Sequence, residues 1–307
     1  MTRPTARPIA RASALRVSRS GPGLPEVRTR KDSASLRPSR ISARQLDRIA
    51  SDLTDLDRAV LSFVSAYRLA TGKQLVRRFW PGEGGDDDRR ARVGRRALKR
   101  LSDWRVLDPL PGRARGGVRG GSDTLIYSVG AAGVRLLARR GLTQKRLGTP
   151  SDRHIAHTLT ICEVAVRLYE ADRAGSVECI EVQAEPECWR AFLGPMGARR
   201  VLKPDLYCRV AVPGSIYEYR WLCEVDMATE HKGTLLAKCR RYLAHYRSGS
   251  EQRKHGVYPK VLWVVPDTRR AAQLEEAIGQ LPLAARRLFT VRPFDDAARY
   301  LTAEASS

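Results

Sequence analysis

Two acidic residues, Asp205 and Glu224, have the spacing of a carboxylate pair at one edge of a sheet. Asp205 lies near the end of one predicted strand, and a turn at residues 213–214 leads into a second, over 217–225. The two carboxylates then lie at corresponding ends of neighbouring strands, and Asp226 shares the sheet face of Glu224. Gathered carboxylates repel one another unless a cation offsets them, and Mg²⁺ accepts oxygen ligands from one or two carboxylates. The spacing predicts a Mg²⁺ site with Asp205 and Glu224 as ligands.

A predicted helix over residues 229–242 follows the acidic pair. It carries Lys232 and Lys238, and either ammonium group would supply positive charge near a phosphate bound at the carboxylates. A simpler interpretation stays open, in which Asp205 is a turn residue and Glu224 is a partly buried structural carboxylate.

The run from Pro204-Asp205 through a hairpin to Glu224-Val225-Asp226 resembles the PD-(D/E)xK nuclease core. That family has a lysine where this chain has Asp226, so the resemblance implies that Lys238, or alternatively Lys232, takes the role of the lysine. It also implies that Glu163, on the helix before the strands, is an accessory metal ligand or base. The candidate catalytic residues are therefore Asp205, Glu224, Asp226, Lys238 and Glu163.

The elements around this motif predict an α/β fold for the second half of the chain. Their order is helix, three strands, helix, strand, helix, strand, with an irregular segment at 184–201. A continuous apolar run at 260–265 predicts a strand buried on both faces. We expect residues 151–302 to form a restriction-endonuclease-like α/β sandwich.

The first half of the chain is organised around a basic helix, predicted over residues 88–104. Seven cations surround its apolar stripe, and such a helix is typical of one lying in a DNA major groove, although a charge run is often only a solvated face. Two earlier helices and two later strands around a Gly-rich tip at 111–123 predict an N-terminal winged helix-turn-helix domain over 51–141. The expected DNA contacts are Arg89, Arg92, Arg95, Arg96 and Lys99 on the helix and Arg113, Arg115 and Arg119 in the tip.

The net charge indicates the class of partner. The chain has 307 residues and a formal charge of +23, which favours nucleic acid over an anionic membrane. No apolar run approaches the roughly 18 residues needed to cross a bilayer. We expect double-stranded DNA as the partner and no membrane.

Composition also bears on the first residues and on the compartment. Residues 1–50 are rich in Arg, Ser and Pro, and we expect a disordered basic tail there. The six cysteines include no C-x-x-C pair, so they carry no local zinc signature and suit a reduced cytoplasmic protein.

Over residues 53–300 the chain resembles the plasmid replication–relaxation family. The most specific part is an E-x-D-x-x-T-E run ahead of a K-x-x-x-Y helix. The residues that carry the resemblance are Leu53-Thr54-Asp55-Leu56-Asp57-Arg58, Leu98-Lys99-Arg100-Leu101, His157-Thr158-Leu159, Lys203-Pro204-Asp205 and Glu224 to Glu230 with Lys238 and Tyr242.

The resemblance implies a DNA-binding protein of a plasmid or other mobile element that acts in its replication, relaxation or transfer. If the acidic site is active, the protein also cleaves DNA in a metal-dependent reaction. The alternative is a non-enzymatic winged-helix regulator whose degenerate nuclease-like domain serves in dimerisation or partner docking. Other replication or transfer proteins and a second copy of the chain are left open as partners.

Overall fold

The computed structural model describes residues 40–82, 86–110, 125–142, 150–214 and 216–303. The tail before residue 40 and the tip with Arg113, Arg115 and Arg119 lie outside these residues, so the predictions for them stay predictions. The described residues from Ile41 onward form one compact unit of mixed α/β structure, which confirms the predicted α/β character of the chain.

The first half of this unit is mainly helical, with a small antiparallel sheet whose strand order is β1-β3-β2. Its elements are α1 Ala43–Asp52, α2 Asp55–Tyr67, β1 Ala70–Thr71, α3 Gly72–Phe79, α4 Asp87–Asp103, β2 Leu107–Pro109, β3 Ile126–Val129 and α5 Ala131–Arg139.

Reciprocal side-chain hydrogen bonds begin both α2 and α3. Thr54 Oγ1 accepts the Asp57 N–H while the Asp57 carboxylate accepts the Thr54 N–H. Thr71 and Gln74 form the same capping box at α3. Each box satisfies backbone donors that a helix start leaves unpaired, so these boundaries follow from local sequence.

Helix α1 corrects the expectation that disorder extends to residue 50. Ser42 caps the helix by accepting the Gln45 N–H, and Leu46 and Ile49 are buried. The arginine-rich composition hides the spacing of these apolar residues, which places them on one helix face. That face belongs to the same core cluster as α2 and α5.

The second half of the unit is built on a five-stranded sheet in the order β10-β9-β8-β7-β4. Strands β4, β7 and β8 are antiparallel, whereas β8, β9 and β10 are parallel. The elements are α6 Asp152–Arg173, β4 Glu178–Ala184, β5 Arg190–Leu193, β6 Arg199–Leu202, β7 Leu206–Ala211, β8 Glu218–Val225, α7 Lys232–Ser248, α8 Ser250–His255, β9 Lys260–Val265, α9 Thr268–Ile278, α10 Leu283–Arg286, β10 Phe289–Pro293 and α11 Phe294–Ala303.

Two local predictions differ from the structure here. The segment 184–201, expected to be irregular, contains the antiparallel hairpin β5–β6. Asp205 precedes β7 instead of ending a strand. The hairpin escapes sequence analysis because Gly194 and Gly197 turn the chain between two strands that are too short to show a clear period of two.

The sheet separates two apolar layers. On one face, Cys208, Cys223 and Val264 pack in a cluster with buried residues of α6. On the other face, Leu222 and Trp263 pack in a cluster with α7 and α9. Because side chains alternate along a strand, Glu224 points to the face that α7 covers.

Helix α3 joins the two halves of the unit through α6. Arg77 Nη1 donates to Glu163 Oε1 at 2.7 Å, and Gln74 Nε2 donates to the Leu159 carbonyl at 2.9 Å. The apolar residues of α2 and α6 belong to one cluster. The basic helical half and the sheet half therefore share a core.

Candidate functional site

Asp205 and Glu224 lie opposite each other at one edge of the β7–β8 pair. The antiparallel register ends with Leu206 paired with Cys223, and the next residues are Asp205 and Glu224, which lie close enough for the charge of Asp205 to raise the pKa of Glu224. The Asp205 N–H donates to the Cys223 carbonyl, and the Val225 N–H donates to Asp205 Oδ2 at 2.7 Å. The structure thus brings together the two carboxylates that the sequence predicts as a pair.

Helix α7 supplies both side-chain partners of Glu224. The Tyr242 hydroxyl donates to Glu224 Oε1 at 2.6 Å, and Lys238 Nζ donates to Oε2 at 3.3 Å. Lys238 and Tyr242 are four residues apart and so share one face of α7. Lys238 also forms an ion pair with Glu230 at 3.0 Å. Its ammonium group is therefore shared between a buried carboxylate and one on the loop before α7.

The electrostatics of the pair favour a proton or a cation at Glu224. Burial, with only 4% of the residue exposed, and the nearby Asp205 carboxylate raise its pKa from 4.5 to about 7, against the opposing effects of Lys238 and Tyr242. Burial lowers the pKa of Lys238, but the charges of Glu224 and Glu230 outweigh it and the pKa rises. Lys238 therefore stays charged.

His157 is a site residue that sequence analysis did not assign. Its Nε2 lies 3.0 Å from the Val225 carbonyl oxygen and 3.4 Å from Asp205 Oδ2. Burial lowers the pKa of His157, but the hydrogen bond and charge of Asp205 outweigh it, with help from the Val225 carbonyl, so the pKa is raised. The only signal in the sequence was the run His157-Thr158-Leu159, which carries the family resemblance but no chemistry of its own.

A cavity of about 300 Å³ opens beside these groups. Glu230 Oε2 and Asp226 Oδ1 on its lining are buried and make no hydrogen bond to any described part of the chain. The lining includes Arg153, His154, His157, Asp205, Glu230 and Lys238. A cavity lined by both carboxylates and cations suits a ligand that is itself charged.

Asp226 is oriented by a buried ion pair. Arg270 Nε donates to Asp226 Oδ2, and Arg270 Nη2 donates to the Glu230 carbonyl at 2.7 Å. Within the described ranges, no group of three or more His, Cys, Asp or Glu side chains is arranged to hold a metal ion. Asp226 therefore does not join the other two carboxylates, and the group of three expected from the sequence is only the pair Asp205 and Glu224.

A second charged surface lies in the helical half, between α4 and the small sheet. A cleft of about 410 Å³ there is lined by four of the predicted DNA contacts together with Tyr127. These four are Arg92, Arg95, Arg96 and Lys99. Arg89 is also exposed, near the start of α4, but does not line the cleft.

Some of the charged side chains of α4 form ion pairs within the protein. Arg100 Nη2 donates to both oxygens of buried Asp57, and Lys99 pairs with Asp103 at 2.6 Å. Gly94 lies against Trp80, where an added Cβ would stand 2.9 Å from the indole ring. These contacts orient α4 so that Arg92 and Arg96 are exposed.

The family model described as replication-relaxation matches residues 61–261, more than half of the chain. The chain belongs to the replication-relaxation family. This confirms the family predicted from the sequence, and membership suggests a role in the replication or relaxation of a plasmid or other mobile element. No protein of curated function and no solved structure matches the chain.

Two residues proposed for the site of this replication-relaxation protein lie elsewhere. Glu163 accepts hydrogen bonds from Gln74, Arg77 and Arg167, so its carboxylate is held at the contact between α3 and α6. Lys232 is exposed and pairs with Glu276 at 2.6 Å.

None of the helices in the described residues is both long and apolar enough to cross a membrane.

The raised pKa of Glu224 predicts a pH-dependent effect on stability. Between pH 4.5 and 7 Glu224 is protonated in the folded protein but largely ionised in the unfolded chain. The free energy of unfolding therefore falls as the pH rises from 4.5 to about 7, and the loss is complete above that pH. We expect Glu224→Gln to remove this loss and to be more stable than wild type by roughly 3 kcal/mol at pH 8. Urea unfolding at pH 5 and pH 8 measures the difference.

Glu276→Gln serves as the matched control, because Glu276 is exposed. It should change stability little at either pH. An equal stability difference between wild type and Glu224→Gln at the two pH values would contradict the raised pKa.

Proposed function

We propose that this protein binds the duplex DNA of a plasmid or other mobile element and cleaves it by metal-dependent phosphodiester hydrolysis. The observation that carries the proposal is the opposed pair Asp205–Glu224 with Lys238 beside it. Double-stranded DNA is the partner, and other replication or transfer proteins would meet the protein on that DNA. The compartment expected for this activity is the cytoplasm.

The helical half is proposed to act as a winged helix-turn-helix that holds the duplex. Helices α2, α3 and α4 precede the antiparallel strands β2 and β3, the order that such a domain requires. Arg92, Arg95, Arg96 and Lys99 converge on one cleft beside α4, where phosphates would neutralise them. In this reading α4 enters the major groove.

The sheet half is proposed to act as a PD-(D/E)xK-like nuclease domain. Its order of α6, three antiparallel strands, α7 and a parallel strand agrees with the resemblance, the hairpin β5–β6 being an insertion between β4 and β7. The donor set fits Mg²⁺, because a buried carboxylate with a raised pKa faces a second carboxylate. Asp205 and Glu224 would hold the ion, and water or phosphate oxygens would complete its shell.

When bound, Mg²⁺ would activate water and stabilise charge on the scissile phosphate. Neighbouring residues of the protein would hold the two carboxylate ligands in place. Tyr242 orients Glu224 through Oε1, and the Val225 N–H together with His157 orients Asp205. Lys238, which stays charged, would pair with the phosphate once a cation shares the charge of Glu224.

A second candidate is a non-enzymatic regulator that binds DNA through the helical half. Its supporting observation is the position where nucleases of this type have a lysine, since Asp226 stands there and is tied to Arg270. Lys238 is likewise already paired with Glu224 and Glu230. In that reading the sheet half would serve in homodimer formation or in docking another protein.

The test is incubation of supercoiled plasmid with purified protein in Mg²⁺, Mn²⁺ or EDTA. Mobility-shift measurements of the same plasmid in EDTA should run alongside it. Nicked or linear product that needs the metal supports the nuclease. A clear mobility shift without product under any metal condition favours the regulator, and the absence of both would overturn the proposed function.

A further inference from the structure

The hairpin β5–β6 is a basic segment without an acidic residue, and no part of the proposed site uses it. From Cys188 to Lys203 the sequence holds Arg190, Arg199, Arg200 and Lys203 and no carboxylate. The two strands pair over four positions, from Arg190 with Leu202 to Leu193 with Arg199. Arg190 pairs with Glu251 at the base of the hairpin, so its exposed positive charge lies at Arg199 and Arg200 near the tip.

The two faces of the hairpin differ in environment. Phe192 and Leu202 are buried in the cluster that contains residues of α7, which anchors the hairpin to the sheet half. On the opposite face, Leu193 is 62% exposed and Val201 is 48% exposed, with exposed Arg199 beside them. An anchored hairpin with an exposed apolar and cationic face is suited to contact a partner.

The tip of the hairpin projects an apolar side chain into solvent. Met196 is fully exposed and adopts a left-handed conformation with φ 57°, followed by Gly197 with φ 75°. This conformation is uncommon for a residue with a side chain. Met196 contributes nothing to the core, so its side chain is available to contact a partner.

We propose that this hairpin inserts into the minor groove of duplex DNA, with Met196 as a wedge at a base step and Arg199 and Arg200 on the flanking phosphates. Apolar side chains such as Met are used in this way by minor-groove proteins, and arginines favour the groove. The inference rests on the proposed DNA-binding function. The charge of the hairpin favours DNA over a second copy of the chain, whose equally basic hairpin would repel it.

The reach of the hairpin agrees with DNA bound at the acidic pair. Leu202 ends the hairpin three residues before Asp205. At about 3.3 Å per residue, four paired positions and the turn extend roughly 15–20 Å, about five base pairs of duplex. A duplex that lies along the hairpin from its base would then contact both the acidic pair and the tip.

The test measures unwinding of a closed circular plasmid, because a wedge that unstacks base pairs changes the linking number fixed by a metal-independent topoisomerase. EDTA suppresses metal-dependent cleavage during the assay. We expect Met196→Ala to reduce the linking-number change by at least about half at equal bound protein. Replacing both Arg199 and Arg200 with Ala should weaken binding about tenfold and lower the salt dependence.

The matched controls are Leu283→Ala, an exposed leucine elsewhere, and the double replacement of exposed Arg240 and Arg241 with Ala. Wild-type binding without a linking-number change, or a change that Met196→Ala leaves intact, would overturn the hairpin proposal and leave the DNA-binding function standing. A wild type that does not bind DNA would instead overturn the proposed function. Loss of self-association in Met196→Ala with intact unwinding would assign the hairpin to a protein contact and refute its insertion into DNA.

Discussion

Asp205→Asn is expected to reduce metal-dependent plasmid cleavage on the order of 10³-fold, with DNA affinity within about twofold of wild type. The amide keeps the size of the side chain and an oxygen that can accept the Val225 N–H, but it removes the charge that faces Glu224. Without that charge a divalent cation loses one of its two proposed ligands. Initial nicking rates in Mg²⁺ and dissociation constants in EDTA measure the two quantities.

Glu163→Gln is the informative comparison, because it makes the same change in a carboxylate that Gln74 and Arg77 hold away from the site. It should cleave at close to the wild-type rate when the folded fractions are matched by circular dichroism. Equal loss of cleavage and DNA affinity in Asp205→Asn would contradict the division of binding and cleavage between the two halves. A cleavage defect in Glu163→Gln as large as that of Asp205→Asn would restore the accessory role inferred from the resemblance.

Reversing charge on α4 should have the second large effect. Replacing both Arg92 and Arg96 with Glu puts two carboxylates in the cleft proposed to hold phosphates. We expect DNA affinity to fall at least about 100-fold near 0.1 M salt, and the slope of log affinity against log salt to lose about two units. Fluorescence anisotropy with a labelled duplex over a salt series measures both values.

The double replacement of Arg44 and Arg48 with Glu is matched in charge and spacing, since these exposed arginines are four residues apart on α1. It should change affinity by a few-fold through net charge alone, and it should preserve the salt slope. Similar losses in both double variants would show that binding follows the net charge of the protein and would refute α4 as the recognition helix.

Stability and function are expected to conflict at Glu224. A buried carboxylate opposite a second carboxylate destabilises the fold when it ionises, which is why Glu224→Gln is expected to be the more stable protein at pH 8. Lys238 and Tyr242 reduce this destabilisation without removing it. A cation bound at Asp205 and Glu224 would offset the repulsion between the two carboxylates. This effect links the stability prediction to the nuclease proposal.

Much of the fold was predictable because its signals are local. Thr54 and Asp57 are three residues apart, and their mutual hydrogen bonds begin α2 whatever else the chain does. The apolar run of β9 indicates a strand buried on both faces, and in the structure β9 is an interior strand between β10 and β8. The pairing of Asp205 with Glu224 also follows from a short connection, since a hairpin joins their strands.

Sequence by itself determined the family, the main helices and strands, and the opposed carboxylates, since each depends on spacing within a few turns or one hairpin. Only the tertiary structure decided which side chains join those carboxylates. His157 meets Val225 across 68 residues of chain, Arg270 meets Asp226 across 44, and Glu163 is turned to Arg77 across 86. Such partners depend on how helices pack on the sheet, and local periodicity carries no information about that packing.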